Sequence, residues 1–118
     1  MSKSITDNSA NNLGGTFVGN IGRVASSAYA GAGNSLNFTG GQYVVVNDNA
    51  ALNTLQSNFT IEAWVYQTDN SNNTIVDRGN YNFLFQTNPN GQPGLGFYNI
   101  YGGWSYSTTS IPVNQWVH

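Results

Sequence analysis

Apolar positions are sparse and irregular over residues 1–34. Polar residues fill Asp7–Asn12, and Ala, Ser and Gly dominate from Ala25 to Asn34. Only Thr16–Val18 and Ile21–Val24 read as short strands there, able to pair with each other. Gly31 and Gly33, with no leucine stripe, argue against a helix over the Ala-rich stretch. From Ser35 the period becomes two. Leu36 and Phe38 alternate with polar residues, and Gly40–Gly41 predicts a hairpin turn into Gln42–Val46. Asn47–Leu55 reads as a connector with one helical turn. Asn58–Gln67 is the clearest predicted strand. Phe59, Ile61, Ala63 and Val65 share one of its faces; Thr60, Glu62, Trp64 and Tyr66 share the other. Further strands are predicted at Thr74–Asp77, Tyr81–Thr87, Leu95–Ile100 and Trp104–Thr109, with one more beginning at Gln115. Asp69–Asn73 and Asn88–Gly94 are the intervening turns.

Short strands separated by turn signals, with no long helical pattern, predict an all-β fold, a sandwich or barrel of antiparallel strands. Residues 1–34 form an N-terminal segment and 35–118 the β-sandwich, both within one domain. The alternation is still running at Trp116–Val117–His118. A sandwich that stops inside a strand leaves an edge open. The expectation is therefore a fragment, a partner chain that completes the sheet, or a homo-oligomer.

Composition narrows the function. Charged residues make up only 7% of the 118 positions, and the formal net charge is −2. No basic cluster exists to neutralise phosphates, which excludes a nucleic-acid partner and an anionic membrane surface. No apolar run is long enough for membrane insertion, and the opening residues do not read as a Sec signal peptide. Without Cys there is no disulfide, thiolate nucleophile or thiol metal site. Aromatic residues reach 14%, enough for a core, so low charge does not mean disorder here.

Few constellations carry chemistry. Glycoside hydrolysis needs two carboxylates in fixed separation. Glu62 stands alone on its strand, and Asp69 and Asp77 fall in or beside turns. The single histidine, His118, reads as part of a continuing strand rather than as the base of a triad. Calcium takes six to eight oxygens. Asp48, in Asn47–Asp48–Asn49, is the best single candidate, although Asn and Asp also suit tight turns. Asn37, Asn58 and Asn72 each begin a glycosylation sequon, which the density of Asn explains by chance. The paired glycines are turn residues, and no phosphate loop is present. Sugar recognition uses rigid aromatic faces with amide and hydroxyl partners. Tyr98, Tyr101, Trp104 and Tyr106 crowd one segment around Gly102–Gly103 and form the preferred binding candidate. Trp64 and Trp116 read as core.

Three stretches carry a family resemblance: Ser35–Val46 (SLNFTGGQYVVV), Ala51–Asn53 (ALN) and Asn58–Val65 (NFTIEAWV). Together they resemble the laminin-G-like, concanavalin A-like lectin/glucanase jelly-roll modules. Ile75–Gly79, Tyr81–Phe85, Leu95–Phe97 and Val113–His118 are similar to the strands that follow, and Asp7–Gly15 to the opening loop. Gln42 stands where many members carry Asp. The resemblance implies a jelly-roll fold and a surface-exposed module, extracellular or on a virion. The expected function is non-catalytic recognition of a glycan or surface protein. The alternative is a structural part such as a tail fibre, capsid decoration or adhesin stalk; a hydrolase fragment ranks third. No cofactor other than calcium is expected.

Overall fold

A computed structural model describes residues 3–56, 58–79 and 82–118. They divide into two compact units, Met1–Ile61 and Glu62–His118. Among the described residues the ordered elements are short antiparallel strands and two 3-10 turns.

In the first unit, β1 (Ser4–Ile5), β2 (Gly15–Val18) and β5 (Tyr43–Val45) form one sheet in the order β1-β2-β5. β3 (Gly22–Val24) and β4 (Ser35–Asn37) form a separate ribbon. This corrects two sequence expectations. Thr16–Val18 does not pair with Ile21–Val24, and Gly40–Gly41 does not join two paired strands. Phe17 faces Val44 across β2–β5, while Arg23 faces Leu36 across β3–β4. The glycine turn carries the chain from one ribbon to the other. Gly40 (φ 113°) and Gly41 (φ 70°) adopt the left-handed backbone this needs.

Gln42 clamps that crossing. Its Oε1 accepts from the Thr39 N–H at 2.7 Å, and its Nε2 donates to Thr39 Oγ1 at 2.8 Å and to the Asn20 carbonyl at 3.3 Å. Ile21, in the link from β2 to β3, is fully buried. The connector Asn47–Leu55 holds the expected helical turn, a 3-10 segment over Ala50–Thr54, capped by Asn49 Oδ1 accepting from the Ala51 N–H at 2.9 Å. No helix forms over Ala25–Asn34.

Asp7 closes the opening loop of this unit. Its carboxylate accepts from the Ser9 N–H and hydroxyl, both at 2.7 Å, and from the Leu13 N–H at 2.6 Å. Hydrogen bonds to the Ser9 backbone, the Ser9 side chain and the Leu13 backbone, in that order, lower its pKa from the usual 3.8. A depressed carboxyl stabilises the folded loop above its ordinary value and loses that contribution as pH falls through the folded value. The Leu13 amide is therefore expected to stay protected from exchange above pH 3.8 and to lose protection in more acidic buffer. Asp7→Asn should remove this pH dependence. Equal protection of Leu13 in acid and at neutrality, by amide exchange, would overturn the assignment.

In the second unit, β7 (Asn73–Arg78), β8 (Phe83–Thr87), β9 (Leu95–Asn99) and β10 (Gly103–Tyr106) make a four-stranded sheet in the order β10-β9-β8-β7. Four expected strands are present here, shifted by a few residues at their ends. Tyr81, the expected start of one, lies outside the described residues. β7 carries an irregularity between Thr74 and Val76.

Cross-strand register defines the two faces of the sheet. Asp77, Leu84, Tyr98 and Trp104 form one row, and Thr74, Gln86, Gly96 and Tyr106 the next row on the same face. Val76, Phe85, Phe97 and Ser105 lie on the opposite face, as does Phe83, whose ring stacks on Phe97 with centroids 6.1 Å apart. Phe83, Leu84 and Ile111 are buried.

The expected long strand Asn58–Gln67 pairs only at β6 (Val65–Tyr66), against β11 (Trp116–Val117). Its two faces are nonetheless as expected: Phe59, Ile61, Ala63 and Val65 are half-buried, and Thr60, Glu62, Trp64 and Tyr66 are exposed. Trp64 is therefore not core. It is 45% exposed, and its ring lies 4.9 Å from that of His118. Trp116 is half-buried, edge-on to Tyr66. Gln67 fastens the end of β6 to the following loop. Its Nε2 donates to the Ile111 carbonyl at 3.1 Å, and its main-chain carbonyl accepts from the Asn114 N–H at 2.8 Å.

Candidate functional site

The β9–β10 hairpin assembles the aromatic candidates. Asn99 faces Gly103, which leaves Ile100–Gly102 as a three-residue loop. Gly103 at φ 72° supplies the left-handed residue such loops require. Asn99 holds the turn from within. Its Oδ1 accepts from the Tyr101 N–H at 2.8 Å and its carbonyl from the Gly102 N–H at 3.1 Å. The tip is thus fixed by local bonds, and it carries Tyr101, 91% exposed, beside the exposed Ile100.

Below the tip, register sets three rings on one face. Tyr98 and Trp104 are directly opposite, with centroids 5.5 Å apart. Tyr106, two residues further on, stacks on Trp104 at 5.7 Å with planes 5° apart. Parallel rings on a sheet's edge strand present a flat apolar surface with little entropy left to lose. The surface is open toward the edge and closed inward. Tyr106 is 43% exposed, Tyr98 and Trp104 are half-buried, and Leu84 in the same row is buried.

The loop between β8 and β9 completes this face. Asn88 (φ 45°) is buried and clamps the loop ends. Its N–H donates to the Gly94 carbonyl at 2.7 Å and its Oδ1 accepts from the Gly94 N–H at 3.1 Å. The 3-10 turn Pro89–Gly91 then folds back over the sheet. Fully buried Pro89 fills the space above Gly96, where a Cβ would overlap the proline ring and come within 3.2 Å of the Trp104 ring. Asn90, exposed, donates from Nδ2 to the Tyr106 hydroxyl at 3.1 Å. This amide was not among the sequence candidates. The signal available was Asn90–Gly91 at a turn, but nothing local says that the turn returns onto Tyr106.

The other sequence candidates lie elsewhere. Asp48 is exposed in the first unit, beside the capping residue Asn49. No group of three or more His, Asp or Glu able to hold a metal ion occurs among the described residues. Asp69 accepts from the Ser71 N–H at 2.8 Å, and hydrogen bonds from the Ser71 side chain and backbone lower its pKa. Glu62 is exposed just before β6, and Asp77 is exposed on β7. Asn37, of the first sequon, lies at the end of β4 and is exposed.

A laminin-G-type family model, of the concanavalin A-like lectin/glucanases superfamily, matches residues 38–118. The chain belongs to that superfamily. The match spans all of the four-stranded sheet and the aromatic hairpin, and it makes the chain's all-β, antiparallel architecture that of a jelly-roll β-sandwich fold. Neither the curated proteins nor the solved structures give a significant match. Membership in a superfamily named for both lectins and glucanases fits a carbohydrate-binding or adhesive module. Among the described residues, no helix is long and apolar enough to cross a membrane.

Proposed function

We propose that this laminin-G-like chain is a non-catalytic glycan-recognition module of an extracellular or virion surface. Its contact surface is the aromatic edge of the β9–β10 hairpin. The observation that carries the reading is the ordered trio Tyr98, Trp104 and Tyr106 on one face, with Tyr101 projecting at the tip. A pyranose ring offers an apolar CH face of matching size, and desolvating it against a rigid indole is favourable. The Asn90 amide and the Tyr106 hydroxyl supply polar partners beside the rings.

Two of the five carboxyl groups are poor candidates for the acid of a hydrolase. A general acid needs a carboxyl whose pKa is raised. Asp7 and Asp69 are both moved the other way, by hydrogen bonds that hold the anion.

The test is a glycan array with the purified chain, in calcium and again with a chelator. Selective binding is expected in both buffers, because the hairpin rings need no cation. Binding that vanishes with the chelator would move the site toward Asp48. Tyr101→Ala with Trp104→Ala is expected to abolish binding; binding unchanged by that pair removes the assignment. Tyr101→Ala alone should leave stability within about 0.5 kcal/mol, since the ring is almost wholly exposed.

A structural role within a surface assembly is the second reading. Two exposed apolar faces favour it. Tyr43 and Val45 on β5 are exposed, and Trp64 and Tyr66 form a ribbon of rings with Trp116 and His118. A stable homo-oligomer in sedimentation, silent on the array, would support this second reading.

A further inference from the structure

We propose that Asn90–Gly91 is a self-modification site, at which the Asn90 amide is lost by deamidation and the N–H donor to Tyr106 is replaced by a negative carboxylate. Of the nineteen Asn residues in the chain, Asn90 alone is followed by Gly. That pairing matters because the attacking group is the backbone nitrogen of the next residue, and glycine has no Cβ to obstruct it. Asn90 and Gly91 are both exposed, on a three-residue turn. A Cβ placed on Gly91 would meet no atom within 4 Å, so nothing crowds the residue that carries the attacking nitrogen. Asn88, by contrast, is buried and followed by Pro89, which has no N–H to give up.

The chemistry balances with water and hydroxide alone. The Gly91 N–H yields its proton to hydroxide, and the nitrogen attacks Asn90 Cγ. A five-membered imide forms as the Cγ–Nδ2 bond breaks, and Nδ2 leaves as ammonia with a proton from water. A second water opens the imide at either carbonyl, giving aspartate or isoaspartate. No residue is oxidised or reduced.

The consequence falls on the aromatic edge. The lost nitrogen is the one that donates to the Tyr106 hydroxyl at 3.1 Å. Aspartate can only accept there when ionised, and isoaspartate lengthens the main chain of a turn whose neighbour Pro89 is packed above Gly96. Either product adds one negative charge to a chain of formal net charge −2. The ring stacked on Trp104 thereby loses its amide donor, and any bond that remains must run the other way, from the Tyr106 hydroxyl to a carboxylate. The modification stands independently of the glycan reading; its effect on binding rests on that reading.

The experiment ages the full chain in mildly alkaline buffer and maps its peptides by mass spectrometry. Asn8, Asn34 and Asn70, each followed by Ser, serve as internal references. The Asn90 peptide is expected to gain the amide-to-acid mass change severalfold faster than these three, and to split into aspartate and isoaspartate forms. Asn90→Gln should suppress the main acidic charge variant. An Asn90 peptide that keeps pace with the references or lags them would overturn the proposal, as would the same main variant arising in Asn90→Gln. The acidic form, once separated, is expected to bind the array ligand several times more weakly than fresh protein. Equal binding would sever the link to Tyr106. Fresh protein that binds nothing would count against the glycan reading alone.

Discussion

Gly94→Ala is expected to destabilise the second unit by about 3 kcal/mol or more, because it combines overpacking with backbone strain. Gly94 sits at φ 99°, a region that side chains rarely adopt. A Cβ there would overlap the Ser107 hydroxyl oxygen and the Thr109 carbonyl. Both belong to a tight bonding set. Ser107 Oγ accepts from the Leu95 N–H at 2.8 Å and donates to the Thr109 carbonyl at 3.0 Å. Gly94 itself bonds Asn88 in both directions, so relief in one place breaks a bond in another. Gly102→Ala is the matched control. Nothing lies within 4 Å of a Cβ at that position, and the change is expected within about 0.5 kcal/mol. Denaturant melts compare the two. Equal midpoints would show that the strand end moves freely, and would undo the account of the Asn88–Gly94 clamp.

That clamp shows why only part of the site was legible in the sequence. Side-chain period encodes which face a residue occupies, and this was readable. Phe59 to Tyr66 alternates between half-buried and exposed as expected, and Tyr98, Trp104 and Tyr106 share a face. Period does not encode the partner strand. Leu36 and Tyr43 flank a convincing glycine turn, yet β4 pairs with β3 and β5 with β2. The competition was settled by long-range register, which no local pattern contains. The same limit hid Asn90. Its contact with Tyr106 depends on Asn88 reaching Gly94 and on Pro89 filling the gap above Gly96. Trp64 fails as a core prediction for a related reason. Its own alternation places it opposite Phe59, Ile61 and Val65, the half-buried side, and the enrichment of aromatic residues in strands does not tell core from surface.

Phe83→Ala should cost about 3–5 kcal/mol, the usual penalty for emptying a buried aromatic site. Phe83 is 4% exposed and stacked on Phe97, so its removal takes away both burial and a ring partner. Phe83→Leu keeps most of the volume and should cost under about 2 kcal/mol. The two faces of the sheet make the functional outcome separable from the stability outcome. Phe83 pairs with Asn99 while Leu84 pairs with Tyr98, so Phe83 points away from the face that carries Trp104 and Tyr106. Under conditions where Phe83→Leu is fully folded, its glycan affinity should match that of the parent chain. Its melting temperature should fall. A variant that melts normally but no longer binds would place the ligand on the Phe83 face and dismiss the hairpin edge. A variant that melts early and binds fully would show that the sheet's buried face holds the hairpin in register, while the rings on the opposite face make the contact.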